Sequence, residues 1–256
     1  MTGSPGTGRL LQELDRWASA GRTAEIWWRD DDLQHPTPAL EPLLAMADTA
    51  GWVPGLAVVP EDADTDALTS RLTGTRAELL VHGFAHRNHA PADEKKCEFP
   101  ACRPLSDRCR DAREGLTRLR AAFPDRLLPC FVPPWNRIAP DLVDRLAGSG
   151  FTGLSTFGPR SASTAAPGLR RVNTHIDVID WRGTRKFVGK GAVAAALASH
   201  LETRRTGRAD PEEPSGLLTH HLVMVDEDWR ALGALVLEMT SHEAVSLIAP
   251  RDCFCL

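Results

Sequence analysis

A chain of 256 residues, 42% hydrophobic and 25% charged, is long enough to bury a sizeable core and has the composition of an ordinary globular enzyme. A formal net charge of −4, with no Lys/Arg stripe interleaved with aromatics, points away from nucleic acid, and no apolar run approaches the ~18 residues a membrane helix needs. The opening "MTGSPGTGRLLQELDRW" lacks the basic-then-apolar pattern of a secretion signal, so the expected location is cytoplasmic.

A helix is expected over residues 8–20. The first strand, "AEIWWR" (24–29), then runs into Asp30, Asp31 and Asp32. Three adjacent carboxylates repel one another, so a cation or a binding partner must offset their proximity. Further strands are expected at 55–60, 78–83, 128–134, 153–157, 175–181, 216–221 and 245–249, with helical segments such as "TPALEPLLAMADTA" and "DEDWRALGALVLEM" between them. Repeated strand–helix alternation implies a parallel sheet with right-handed crossovers. At this length the expected fold is a single α/β domain over 1–256, a barrel with its core at about 24–249. Residues 87–107 are too long for an ordinary connection, and in barrels such βα loops frame the active site. The six cysteines (97, 102, 109, 130, 253 and 255) lack C-x2-C spacing and are read as free thiols.

Polar motifs fall at the C-terminal ends of the strands, which a barrel gathers on one face. "HGFAH" places His82 and His86 four apart, a spacing that lets both rings bind one ion if the chain turns helically after the strand. Two imidazoles and a nearby carboxylate leave open positions on a Zn²⁺-like ion, which is a catalytic arrangement. His89 is a weaker candidate for a third imidazole. In "FVPPWNR" two prolines stiffen the approach to Trp135, whose amide then suits an oxyanion hole. Asp180, beside Trp181 in "DVIDW", reads as a carboxylate that orients a catalytic group, with Asp177 on the opposite face of the strand. "LLTHHL" offers one histidine to the site as a general acid while its neighbour packs outward.

This ordered set of motifs resembles the polysaccharide deacetylase family, the carbohydrate esterases with a NodB-homology domain. The resemblance implies a distorted (β/α)7 barrel and hydrolysis of an N-acetyl or O-acetyl group on a carbohydrate or sugar-containing substrate. It also implies a divalent cofactor, Zn²⁺ first, with Co²⁺, Mn²⁺ or Ni²⁺ as alternatives. Carried onto this chain, it makes Asp30 the general base and Asp31, His82 and His86 the metal ligands; the alternative register makes Asp31 the base and Asp32 the ligand. Trp135 takes the oxyanion position, His220 the general acid, and Leu218 part of an acetyl-sized pocket. Arg29, Asn136 and Trp181 are expected to line the substrate. Two departures stand out: Val132 occupies the place of a family Arg that pairs with the base, and Asp32 replaces a Gly in the first register. The missing Arg's role would pass to Arg29, to Arg137 or to nothing. Rival readings are an amidohydrolase of a small metabolite and a catalytically silent carbohydrate-binding barrel.

Overall fold

The computed structural model describes residues 5–254. Cys255, expected to be a free thiol, lies outside them; the other five cysteines are unpaired. The chain opens with α1 (Pro5–Ser19), whose apolar face packs on a later helix. Then β1 (Ala24–Leu33), α2 (Leu40–Ala50), β2 (Gly55–Val58), α3 (Thr65–Leu72), β3 (Glu78–His82), α4 (Leu105–Ala122), β4 (Leu127–Val132) and α5 (Pro140–Leu146) alternate. They are followed by β5 (Gly153–Leu154), β6 (Thr164–Ala166), β7 (Leu169–Arg171), β8 (Ile176–Asp177), α6 (Lys190–Arg205), β9 (Ser215–Thr219), α7 (Asp226–Thr240), β10 (Val245–Leu247) and α8 (Pro250–Phe254).

Strands β5, β4, β3, β2, β1, β9 and β8 lie side by side in parallel. One continuous segment closes the sheet on itself. Val172 and Thr174 donate to Leu154 and Thr156 on one side, while His175 and Val178 donate to Gly216 and Leu218 of β9 on the other. The result is a mixed α/β domain in the form of a distorted barrel, as expected. Two details differ from the sequence reading. Residues 164–171, not predicted as strands, form the antiparallel β6–β7 pair, and the strand expected over 175–181 shrinks to β8 because the chain leaves the sheet to make a turn at Asp180–Arg185.

Alternation along the strands sorts side chains into two cores. Trp27, Ala57, Leu80, Cys130, Val132 and Val172 fill the inside of the barrel, and Phe254 of α8 plugs it from below by an edge-on contact with Trp27. Trp28, one residue on, faces the opposite way and packs between Trp52 and Trp229 under the helices. The same alternation decides where the polar residues at the strand ends must point.

Candidate metal centre

At the top of β1 the strand rule assigns each aspartate a different environment. Arg29 and Asp31 share the inner face. The Arg29 guanidinium, fully buried, donates from Nε and Nη2 to the two oxygens of Asp31 at 2.8 and 3.0 Å. Its remaining donors reach Ser155 Oγ at 2.7 Å and the Asn136 side-chain oxygen at 2.7 Å. This is the bidentate geometry for which a guanidinium is suited and an ammonium is not. Asp30 faces the helix layer with Trp28. It accepts from Thr219 Oγ at 2.6 Å and pairs with His221 Nδ1 at 2.5 Å, and both Asp30 and His221 are fully buried. Trp28 Nε1 in turn donates to Thr219 at 2.8 Å. Asp32 breaks the alternation: its φ of +74° swings its carboxylate over the mouth of the barrel.

There it meets His82 and His86. Oδ1 of Asp32 lies 3.1 Å from Nε2 of each ring. The three ligand atoms lie within 4.8 Å of one another, and among the described residues they are the group of three or more His, Cys, Asp or Glu side chains able to hold a metal ion. His82 Nδ1 faces the Val132 carbonyl at 3.0 Å, which fixes the ring and leaves Nε2 as the nitrogen directed at Asp32. Burial would push the Asp32 carboxyl up, but hydrogen bonds from the two imidazoles outweigh it and hold it well below the usual carboxylate range. Burial pulls His82 down, yet the charges of Asp31 and Asp32 prevail and raise it. One carboxylate with two imidazoles within reach of one another fits a divalent ion of the Zn²⁺ type.

The structure brings a different aspartate to the histidines from the one expected first. Arg29 engages both oxygens of Asp31, and Asp30 is sealed behind the sheet against Thr219 and His221. The geometry matches the alternative register, with Asp32 in the ligand position and Asp31 next to it. Arg29, expected to touch substrate, is buried and saturated instead, and Asn136 spends its side-chain oxygen on it. Arg137 donates to the Lys96 carbonyl and takes no part in the clamp. His89 is exposed and stays outside the cluster.

The other expected residues surround this centre. Trp135 follows Pro134 in a single 3₁₀ turn, with φ of +56° at Trp135 and +58° at Asn136, and its ring packs on His86 with centroids 4.5 Å apart. Leu218 is buried on the inner face of β9, and His220, two residues on, lies close enough to Asp32 for their charges to interact. The Trp181 ring stands edge-on to His220, centroids 4.7 Å apart. Asp180, expected to orient a catalytic group, instead turns its carboxylate to the amides of Gly183 and Thr184 and closes its own turn. Asp177 accepts from the Trp181 indole at 2.8 Å, and burial pushes its carboxyl up while the charge of His220 opposes that rise.

Glu98 has no counterpart in the sequence reading. It is buried in the long segment after β3 and accepts from the amides of Phe84 and Ala85, between the two histidines. No local pattern marks it, since its partners are backbone groups.

No family model and no curated protein matches the sequence. Solved structures do match in fold. A peptidoglycan N-acetylglucosamine deacetylase bound to an N-hydroxybenzamide compound has a TM-score of 0.59 at 14% identity, covering 91% of this chain and 88% of its own. A family 4 acetyl xylan esterase from Clostridium thermocellum in complex with cobalt has 0.54 at 13% identity over 90% of both chains. A family 4 pseudoenzyme in a mutant form with restored activity has 0.58 at 11% identity, over 91% of this chain and 68% of its own.

Proposed function

From the premise that the chain has the polysaccharide deacetylase fold, we propose that it is a metal-dependent deacetylase, hydrolysing an N-acetyl or O-acetyl group of a carbohydrate or sugar-containing substrate. The convergence of Asp32, His82 and His86 at one point, with Asp31 beside it, carries this reading. The proposal treats residues 24–249 as one catalytic domain. Among the described residues no helix is long and apolar enough to cross a membrane.

Asp32, His82 and His86 would hold the divalent ion, Zn²⁺ in the first instance, which when bound supplies an activated water and a polarised acyl oxygen. Around it the chain's own residues divide the work. Asp31, held in one orientation by Arg29, accepts a proton from the attacking water. The water oxygen bonds to the acyl carbon, and the Trp135 amide supports the charge that gathers on the acyl oxygen. His220 then delivers a proton to the departing nitrogen or oxygen, the C–N or C–O bond breaks, and acetate is released. Leu218 and Trp181 give the acetyl group and the sugar an apolar boundary. Arg29 does from β1 what the family Arg does from the position of Val132, which here belongs to the apolar interior.

The test combines metal analysis with acetate release from N-acetylglucosamine oligomers and acetylated xylo-oligosaccharides. Purified protein is expected to bind about one ion and to lose hydrolysis on chelation. Equal hydrolysis by metal-free and reloaded protein would refute the scheme.

A further inference from the structure

We infer that Glu98 is a positioning residue for the metal centre, setting the turn that carries His82 and His86; this rests on the metal reading above. Glu98 is only 1% exposed, and its carboxylate takes the amide of Ala85 at 2.6 Å on one oxygen and that of Phe84 at 3.2 Å on the other. These are backbone groups of the three residues that separate the histidines. The turn itself is unusual: Gly83 has φ of +59° and His86 φ of +53°, so a non-glycine ligand is held in the left-handed region. A Cβ at Gly83 would lie 2.1 Å from the nearer Glu98 oxygen and 2.6 Å from Pro134, so glycine is required there for space as well as for φ. Without a buried acceptor the two amides would lose their partners in a turn that is already strained, and the His86 ring would be free to relax.

Glu98 is itself fixed from the opposite side of the site. Phe99 bridges to Ile138 and accepts from the Ala139 amide at 3.1 Å. Cys97 Sγ donates to the Arg137 carbonyl, and Arg137 Nη1 donates to the Lys96 carbonyl at 2.9 Å. The long segment thus straps the Trp135–Asn136 turn to the His82–His86 turn, with Glu98 at the crossing. A carboxylate suits this place because it offers two acceptors to two N–H groups. A glutamine amide would offer one acceptor and turn a second donor against the remaining N–H.

The experiment uses the full chain as Glu98→Gln, with Co²⁺ as the probe, read by affinity and by the visible ligand-field spectrum, alongside the thermal midpoint of the metal-free protein. Expected are Co²⁺ binding weakened roughly 10- to 100-fold and a changed spectrum of the folded protein, alongside a fall in the midpoint from the buried N–H that loses its acceptor. Wild type and Glu98→Gln binding Co²⁺ with the same affinity and spectrum would overturn the inference. A purely structural role would lower the midpoint and leave the spectrum of the folded fraction unchanged, which also overturns it. Hydrogen exchange on the wild-type protein covers the cases in which the variant does not fold or the wild type takes up no metal. Slow exchange of the Phe84 and Ala85 amides supports the clamp; fast exchange there, beside a protected β3, overturns it. Failure of wild-type metal uptake counts against the metal reading alone.

Discussion

His82 and His86 meet with ring centroids 5.2 Å apart and a tilt of 43°, whereas His175 and His200 stack at 3.9 Å and 22°. The first pair sits at the C-terminal end of the barrel strands and the second at the N-terminal end, against Ser215 and Gly216 at the start of β9. In the upper pair each ring directs Nε2 at one carboxylate and keeps room for an ion. In the lower pair both Nδ1 atoms are engaged by the start of β9: His175 Nδ1 accepts from the Gly216 amide, with its Nε2 3.2 Å from Glu213, and His200 Nδ1 bonds Ser215. Histidine chemistry depends on where the second nitrogen points. The comparison matches the division of labour in barrels, with chemistry at the top and stability at the bottom.

The largest effects expected come from exchanging residues between these roles. His82→Ala or His86→Ala should abolish metal content and turnover together, while His200→Ala should keep both and lower stability by ~1–3 kcal/mol through the lost Ser215 bond and the disturbed stack. Metal content by elemental analysis and denaturant unfolding separate the two outcomes. A His200→Ala protein devoid of metal would break the contrast.

The three aspartates sharpen it further. Asp31→Asn should retain metal and lose about 10²- to 10⁴-fold in kcat, the range for removing a general base. Asp30→Asn should leave metal and kcat nearly intact and cost ~1–3 kcal/mol, because it disturbs the buried bonds to Thr219 and His221. If Asp30→Asn lost more turnover than Asp31→Asn, the register read from the structure would be wrong.

The smallest effect is pH-dependent and belongs to the lower pair. Burial, with the charges of His175 and Arg204 behind it, pushes His200 from its ordinary 6.5 down to about 2. Below pH 6.5 the unfolded chain takes up a proton that the folded protein refuses, so stability should fall as pH drops through the window between these values. Thermal midpoints from pH 7 to pH 4 should decline less in His200→Gln than in wild type. Parallel curves would show that another group drives the acid loss.

How much of this was legible beforehand follows from the range of each interaction. The H-x3-H spacing, the Pro-Trp turn and the Leu-x-His ending are local, and each kept its place at a strand end. The aspartate register was not local. It depends on Arg29 reaching Asn136 and Ser155, which lie 107 and 126 residues away, and on Asp30 meeting His221, 191 residues away. Asp180 was expected on a strand, but the chain turns there and its carboxylate accepts from the amides of that turn.

The sequence by itself determined the strand–helix alternation, the polar residues at the strand ends and the pair of histidines four apart, since all of these follow from short-range periodicity. Only the tertiary structure decided which of three neighbouring aspartates meets His82 and His86, which carboxylate bonds the Trp181 indole beside His220, and that Glu98 accepts from the amides between the two histidines. Adjacent, chemically identical side chains are told apart only by partners that folding brings from distant strands.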